Sequence, residues 1–319
     1  METEAARFVD TIETNPPAGL QPLLQKTSRT FALTIPLLPE PLQMEVATAY
    51  LLFRIIDTFE DATHWDSGRR VKALGLFAQL MEGDDARDDL RTLTAQWLED
   101  PPLDHAGYLD LLAATPEVIG WQRGLPPAAR EQLRRHVVRS ARGMMEVVGR
   151  TDGSGALQLQ TLRELRDYCY AVAGIVGEML TELFLLQSPR LKSVANELRA
   201  RAVEFGEALQ LVNILKDSQS DGAERRTYLP REASLAEVFT LARADLRRAI
   251  EYTELLRAAG ADRGILAFNA LNLRLAIATL HLLRSQGPGS KLTRVQVAGI
   301  LAQVSSALGN GGVLFPERP

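Results

Sequence analysis

Residues 49–61 read Ala-Tyr-Leu-Leu-Phe-Arg-Ile-Ile-Asp-Thr-Phe-Glu-Asp, an apolar segment that ends in two aspartates four positions apart. The apolar residues follow a helical period, and this spacing stacks Asp57 and Asp61 on one helix face, with Cβ atoms about 5–6 Å apart. Asp217 and Asp221 repeat the pattern at the end of a second apolar segment. Neighbouring carboxylates repel each other unless a cation joins them, and oxygen ligands of this kind suit Mg²⁺, which completes its shell with water and substrate phosphates. One such pair is usually a solvated helix face, but two pairs predict a metal-dependent enzyme for a phosphorylated substrate.

The rest of the chain shows the same helical period, and β-branched runs bounded by turns are absent. Helices are predicted over residues 41–62, 68–81, 88–97, 106–113, 127–148, 161–186, 194–217, 235–258, 265–285 and 294–308. The pattern predicts an all-α fold, with one domain over residues 1–319 whose longest helices enclose a central cavity. Residues 309–319 are predicted to form a loose tail.

Amino-acid composition and net charge limit the classes of protein to which this chain can belong. The 319 residues are 46% hydrophobic and 24% charged, which is ordinary for a water-soluble domain with a large core. A net charge of −4 without a basic stripe argues against nucleic acid as a partner. The single cysteine, Cys169, excludes an internal disulfide framework and favours a reducing compartment. The acidic N-terminus does not resemble a signal peptide, and no uncharged apolar run reaches the length of a membrane span. These features predict a cytoplasmic protein.

Polar residues extend the first aspartate pair along its helix face. Tyr50, Arg54, Asp57 and Asp61 follow the spacing i, i+4, i+7, i+11. Arg54 and Arg29 are predicted to bind diphosphate oxygens in a bidentate manner, for which the planar guanidinium is well suited.

A second polar stripe precedes the second aspartate pair. Asn213, Asp217 and Asp221 are spaced by four residues, with Gln210 three positions before Asn213. Lys216 adds a positive charge to this segment. Helices running antiparallel across a cavity would allow the two stripes to hold a cluster of Mg²⁺ and stabilise a departing diphosphate.

The segment 221–230 follows the second pair and is expected to leave the helix, because it is polar and ends in Pro230. Arg225 and Arg226 within it would reach phosphate if this loop covers the site. Taken alone, the segment is better explained as an ordinary charged surface loop.

The apolar segment 168–181 is the candidate wall of the cavity. Tyr168, Val172 and Val176 form one stripe, and the small residues Gly174 and Gly177 would leave room for a long ligand. Glycine inside a helix costs about 1 kcal/mol relative to alanine, so tight helix–helix packing explains the glycines equally well.

Together these residues resemble the squalene/phytoene synthase family of head-to-head prenyl transferases. The matching segments are 28–31, 50–61, 168–177, 209–217 and 226–230, in the order and spacing of the family, and the resemblance covers residues from about 27 to 301. It implies a single all-α domain of the isoprenoid-synthase type.

The resemblance also implies roles for single residues. The metal ligands would be Asp57, Glu60, Asp61, Asp217 and Asp221. The diphosphate-binding residues would be Ser28, Arg29, Arg54, Lys216, Arg225 and Arg226, with Phe31, Val172, Val176, Gln210 and Asn213 in the cavity. Tyr50, Arg54 and Tyr168 would be catalytic, and Tyr168 would assist the removal of a proton as a cyclopropane closes. Free tyrosine has a pKa near 10, so Tyr168 would need a helper such as the released diphosphate.

Within the family, the first aspartate motif and residues 276–280 resemble squalene synthases. Lys291 and Arg294 lie where those enzymes have basic residues implicated in NADPH binding. The expected reaction is therefore Mg²⁺-dependent joining of two farnesyl diphosphates through presqualene diphosphate to squalene, with NADPH as the reductant. The product is nearly insoluble in water, so we expect peripheral contact with the inner face of a membrane; the oligomeric state is not predicted.

Other readings stay open. Residues 177–181 resemble dehydrosqualene synthases, and a phytoene synthase is the longer-chain alternative. Ser220 stands where the family usually carries a glutamate, which leaves open an enzyme that stops at presqualene diphosphate or uses another acceptor. A class I terpene cyclase also binds Mg²⁺ through paired carboxylates and is another enzymatic alternative. A binding protein derived from this fold is the non-catalytic alternative.

Overall fold

A computed structural model describes residues 19–83, 87–151, 157–223 and 226–319; the side chains of residues 87–89, 219–223 and 226 are not described. Within these ranges the secondary structure is almost entirely helical, which confirms the predicted all-α class. The strands β1 (Leu157–Gln158) and β2 (Arg226–Thr227) pair as a two-stranded sheet.

The helices are α1 (Leu20–Thr27), α2 (Phe31–Thr34), α3 (Leu42–Glu60), α4 (Ser67–Glu82), α5 (Arg87–Glu99), α6 (Ala106–Ala113), α7 (Thr115–Gly124), α8 (Pro127–Val148), α9 (Leu162–Cys169), α10 (Ile175–Gln187), α11 (Ala195–Ala223), α12 (Leu235–Ala258), α13 (Arg263–Gln286) and α14 (Arg294–Asn310). Short 3₁₀ segments cover Ile35–Leu37 and Pro189–Val194, and a π turn over Tyr170–Gly174 joins α9 to α10.

The chain divides into two compact units, so a single domain over residues 1–319 stays a prediction. Among the described residues, the first unit holds those within 33–43 and 158–319, and the second holds those within 19–32 and 44–157. Each unit is described separately below.

In the second unit, aromatic packing holds the end of α3. The Phe59 ring lies 4.7 Å from that of Trp97, 5.9 Å from that of Trp65 and 6.2 Å from that of Phe77, measured between ring centroids. Asp66 caps α4 by accepting a hydrogen bond from the Arg69 amide, so the chain turns directly after α3. The aspartates at the end of α3 therefore sit on a rigid element.

In the first unit, glycines allow the backbone before and within α10 to touch α11. A Cβ added to Gly177 would lie 1.9 Å from the Ala202 carbonyl oxygen, and one added to Gly206 would lie 1.9 Å from the Ala173 carbonyl oxygen. Such contacts are impossible for alanine. Tight helix packing is therefore the role of Gly177, and the expectation that it leaves room for a ligand is wrong.

The end of α11 also differs from expectation. The helix continues to Ala223, whereas the sequence predicted an end at Asp217 with a polar loop from residue 221. Polarity alone does not stop a helix, and Pro230 lies too far along the chain to act at this point.

The C-terminal segment is anchored rather than loose. Leu314 is fully buried and Phe315 is 4% exposed, so the predicted loose tail over residues 309–319 is wrong at these positions. Two large apolar side chains gain enough from burial to order a short segment.

Two segments are long and apolar enough to cross a membrane by length and composition. They are Leu162–Gln187 and Arg263–Gln286. In the most apolar 18-residue window of each segment, 61% and 78%, respectively, is buried inside the fold. Buried core helices of a water-soluble protein meet the same criteria, so this finding is weak evidence for a membrane span.

Candidate active site

The first polar stripe lies on α3 in the second unit. Between residues 45 and 61, the only side chains that are not fully buried are Tyr50, Arg54, Asp57 and Asp61. This set matches the helix face expected from their spacing. An otherwise buried helix thus presents one continuous line of polar groups.

Arg54 is the centre of this stripe. Its guanidinium lies 5.7 Å from the centroid of the Tyr50 ring and 5.4 Å from that of the Tyr108 ring, and its Nη1 is 3.4 Å from Asp57 Oδ2. Burial lowers the pKa of Arg54, but Asp57 and the two tyrosines more than offset this, and the net shift is upward. Arg54 Nε is buried without a hydrogen-bond partner among the described residues. A partly exposed arginine side chain (24% exposed) with a buried, unused donor is suited to binding an oxyanion.

Asp57 is held in an environment that disfavours its charge. Burial raises the pKa of Asp57 to about 6, with a further upward contribution from the neighbouring Asp61, although Arg54 opposes both. The Asp57–Arg54 contact is longer than a strong charge-assisted hydrogen bond. A divalent cation between Asp57 and Asp61 would relieve this repulsion.

Glu60, predicted as a third ligand beside these aspartates, is more deeply buried than Asp57. Its side chain is 4% exposed, and its Oε1 is 4.0 Å from Nη2 of the buried Arg70. Arg70 also donates a hydrogen bond to the Glu60 carbonyl oxygen. This buried contact with Arg70 supports a structural role for Glu60, and its role as a metal ligand stays a prediction.

The segment 28–31 lies in the same unit. Ser28 Oγ accepts a hydrogen bond from the Phe31 amide at 2.9 Å, and the Phe31 ring lies 5.3 Å from that of Tyr50. Tyr50 donates a hydrogen bond to the Thr27 carbonyl oxygen at 2.9 Å. Arg29 is exposed and has no ion-pair partner among the described residues. The structure thus links this segment to the polar stripe and leaves the Arg29 guanidinium available.

Tyr108 is a site residue that the sequence did not indicate. Burial raises its pKa, and its ring faces Arg54 from α6. A Cβ on Gly107 would lie 2.5 Å from the Lys26 carbonyl oxygen, so glycine permits α6 to approach α1 and place Tyr108. A tyrosine after a glycine in a segment without any motif carries no recognisable signal.

The second polar stripe lies on α11 in the first unit. Gln210 and Asp217 are partly exposed and Asn213 is exposed, whereas residues 211, 212, 214 and 215 are buried. Lys216 Nζ lies 3.2 Å from Asn213 Oδ1 and 3.2 Å from Asp217 Oδ2. Arg225 and the side chains of Asp221 and Arg226 lie outside the described part of the chain.

Tyr168 lies in the same unit and is only 4% exposed. Its ring stacks on that of Tyr228 with 4.5 Å between centroids, which ties the segment after β2 to the end of α9. Val172 and Val176 are half-buried. The π turn interrupts their regular four-residue spacing with Tyr168, a local change that periodicity does not predict.

Lys291 and Arg294 are both exposed at the beginning of α14. The amide of Gly289, two residues before Lys291, donates a hydrogen bond to the Lys216 carbonyl oxygen at 2.8 Å. Positive φ angles of 85° at Gly287 and 84° at Gly289 permit this turn. The segment that carries Lys291 is therefore fastened to α11 beside the second polar stripe.

The residues present fit a magnesium ion in chemical terms. Among the described residues, no group of three or more His, Cys, Asp or Glu side chains is preassembled as a metal site. Asp57 and Asp61 nevertheless offer hard oxygen ligands on one face; burial raises the pKa of Asp57, and Asp61 adds a smaller upward contribution. Since Mg²⁺ takes only one or two carboxylates in many sites and fills its shell with water and phosphate, this donor set is adequate.

Known squalene synthases and a presqualene diphosphate synthase are similar to this chain in sequence. The squalene synthase ERG9 of Candida albicans is 28% identical over 210 residues, which cover 66% of this chain and 44% of that protein. The presqualene diphosphate synthase of Botryococcus braunii is 28% identical over 217 residues, covering 66% of this chain and 47% of that protein. The match thus spans less than half the length of these relatives.

Among solved structures, TcSQS in complex with the ligand E5700 superposes with a TM-score of 0.72 at 23% identity, over 94% of this chain and 85% of that chain. This likeness establishes a shared fold. The family model for squalene/phytoene synthase matches residues 24–236, about two thirds of the chain. The chain therefore belongs to the squalene/phytoene synthase family.

Proposed function

We propose that this chain is a prenyltransferase that joins two molecules of farnesyl diphosphate head to head, through presqualene diphosphate, and reduces the product to squalene with NADPH. The observation that carries the proposal is the polar stripe Tyr50, Arg54, Asp57 and Asp61 on the otherwise buried α3 of a squalene/phytoene synthase. Ionisation of an allylic diphosphate needs positive charge beside the leaving group in a site that excludes water. A partly exposed arginine next to two carboxylates supplies the protein's part of that arrangement.

The basic residues would bind the leaving diphosphate. Arg54 stays protonated at every working pH because Asp57 and the flanking tyrosines raise its pKa, and its unpartnered Nε can donate to a diphosphate oxygen. Arg29 and Lys216 would add charge from an exposed loop and from α11. In the second unit Asp57 and Asp61 would hold Mg²⁺, and in the first unit Asp217 and Asp221 would do so; the metal would supply positive charge for a departing diphosphate.

Tyr168 would act on the organic part of the substrate. Its stacking on Tyr228 fixes the ring plane, so the hydroxyl is held in one place while the carbocation loses a proton. Tyr168→Phe retaining full turnover in the first half-reaction, measured as formation of presqualene diphosphate, would remove this assignment.

The reductive half-reaction is supported by the segment that precedes α14. Lys291 and Arg294 are exposed, and the hydrogen bond from Gly289 to Lys216 brings their segment to α11. NADPH would supply a hydride for the reduction. Both residues would bind the phosphates of the nucleotide.

Because the product is a hydrocarbon, we also propose peripheral contact with the inner face of a membrane.

A second candidate function ends at presqualene diphosphate. Ser220 in the second aspartate motif favours it, since this position lacks the carboxylate that is usual in the family. The relative from Botryococcus braunii bears the name of that activity.

Product analysis with farnesyl diphosphate and Mg²⁺, with and without NADPH, separates these functions. Squalene formed only with NADPH, and presqualene diphosphate accumulating without it, is the expected result. Presqualene diphosphate as the end product under both conditions would identify the second candidate. Dehydrosqualene, or phytoene from geranylgeranyl diphosphate, would place the enzyme on a non-reductive branch and make Lys291 and Arg294 ordinary surface residues.

A further inference from the structure

A cavity of about 450 Å³ opens in the first unit between α13, α14 and the C-terminal segment. Its size falls within the range of small-molecule sites. Lining residues on α14 include Gln296, Gly299, Ile300 and Gln303, which follow the spacing i, i+3, i+4, i+7 and so share one helix face. None of its lining residues belongs to the two polar stripes or to Tyr168.

Arg274 is the unusual group in this cavity. It is only 7% exposed, and its single hydrogen bond among the described residues goes to the side-chain oxygen of Gln303. No carboxylate in the described part of the chain lies within 4 Å of it. Burial lowers the pKa of Arg274, and Glu317 offsets this only in part. A guanidinium has five N–H donors, so most of the Arg274 donors make no hydrogen bond to the described residues.

The remaining lining is about half apolar, and its polar members are His281, Ser285, Gln296, Gln303 and Glu317. Ile277, Leu282, Leu292 and Ile300 contribute branched side chains to the lining. Glu317, whose side chain is 63% exposed, stands at the solvent side. Its negative charge disfavours a ligand with several anionic groups, while the positive charge of Arg274 favours a ligand with one.

We propose that this cavity binds an amphiphile with a single oxyanionic head group, a carboxylate or a phosphate monoester, and an apolar chain. Arg274 would hold the head group through paired N–H···O bonds, and the chain would lie against the four branched side chains. The site is separate from the proposed prenyl-transfer site and does not depend on its chemistry.

Calorimetric titration of the full chain tests the proposal. Dodecyl phosphate and dodecanoate are the probes, below their micelle concentrations and with EDTA present, so that metal-dependent binding of a substrate mimic is suppressed. Binding of either probe, at least about tenfold tighter than dodecanol or inorganic phosphate, is the expected result. The tighter of the two probes identifies the head group, and failure of both to bind would overturn the proposal.

Matched variants locate the binding. Arg274→Gln should weaken binding of the tighter probe by about tenfold or more, whereas Arg284→Gln, an exposed change on the same helix, should not. Gly299→Leu should narrow the cavity, and thermal unfolding checks that the fold is kept; a Cβ at this position meets no atom within 4 Å. Gly120→Leu, at an exposed helical position that is equally open, is its control.

One further variant separates this site from the first polar stripe. Arg54→Gln should leave binding of the probes unchanged. Loss of binding with Arg54→Gln, or unchanged binding with both Arg274→Gln and Gly299→Leu, would show that the probes occupy another site and would contradict the proposal.

Discussion

At the scale of single residues, the environment of Arg54 explains most of the proposed chemistry. The guanidinium lies between two tyrosine rings and beside Asp57, and one of its donors is buried without a partner in the described structure. Such an arrangement is costly for a free protein, because an unmade hydrogen bond to a charged group costs about 1–3 kcal/mol. A bound diphosphate would supply the missing acceptor.

Replacement of Arg54 should therefore impair diphosphate ionisation. We expect Arg54→Gln to lower kcat/KM for diphosphate release from farnesyl diphosphate by about 100-fold or more, and Arg54→Lys by about tenfold, because lysine keeps the charge but not the planar fork. Steady-state kinetics of diphosphate release provide the measurement. Arg91→Lys, an exposed change in the same unit, is the control, and equal activity of Arg54→Gln and the native chain would refute this role.

Glu60 and Asp61 are adjacent in sequence but differ in environment, which gives a paired prediction. Glu60→Gln should lower the free energy of unfolding by about 1–3 kcal/mol, since it weakens a buried contact with Arg70, and should leave the Mg²⁺ concentration for half-maximal activity unchanged. Asp61→Asn should raise that Mg²⁺ concentration with little effect on stability. Chemical unfolding and metal titration measure the two effects, and the opposite pattern would restore Glu60 as a ligand.

At the scale of helices, the sequence predicted which segments are helical better than it predicted where each helix ends. The apolar period located α3, α8 and α12 closely, and the spacing of polar residues identified the face of α3 that stays accessible. The sequence did not predict that α11 continues to Ala223. A polar sequence alone does not show whether a helix continues through it. The π turn and the placement of Tyr108 depend on contacts between distant segments, which periodicity within one segment does not contain.

Glycine contacts between α10 and α11 predict a position-specific loss of stability. Gly177→Ala and Gly206→Ala each place a Cβ 1.9 Å from a backbone oxygen of the facing segment, so each should lower the free energy of unfolding by about 1–3 kcal/mol. Gly299→Ala should raise it by up to about 1 kcal/mol, because its Cβ meets nothing and alanine favours the helix. Thermal unfolding compares the three, and a stabilised Gly206→Ala variant would contradict the described packing.

A cluster of charges that joins three helices predicts a pH dependence of stability. Arg166 on α9 lies 2.9 Å from Glu207 on α11 and 3.0 Å from Asp245 on α12, and both carboxylates are nearly buried. Burial raises the pKa of Glu207 to about 7 and that of Asp245 to about 6, despite the opposing effect of Arg166. Their native pKa values exceed their unfolded values of about 4. Between about pH 4 and pH 7 the folded state therefore binds more protons than the unfolded state.

The stability contributed by this cluster should be present below about pH 4 and lost as the pH rises through 6 and 7. We expect the free energy of unfolding to fall by about 1–3 kcal/mol between pH 4.5 and 7.5 from these groups. The double variant Glu207→Gln, Asp245→Asn should show a correspondingly shallower slope in urea unfolding at a series of pH values. An unchanged slope would mean that these carboxylates do not carry the effect.

At the scale of the whole molecule, the family and the all-α class followed from the order and spacing of motifs, and both are confirmed. The anchored C-terminal segment and the cavity beside Arg274 did not follow from the sequence. Leu314 and Phe315 are ordinary apolar residues in a short polar segment, and Arg274 is one arginine in an apolar helix, so only tertiary packing distinguishes them.

The central claim is that two prenyl diphosphates are joined in one product. The most direct measurement is mass spectrometry of the hydrocarbon and diphosphate products formed from an equal mixture of unlabelled and fully deuterated farnesyl diphosphate with Mg²⁺ and NADPH. We predict a C30 product in three isotopic forms, with the mixed form the most abundant. Products of one farnesyl unit, with no mixed isotopic form, would contradict the account and indicate a terpene cyclase.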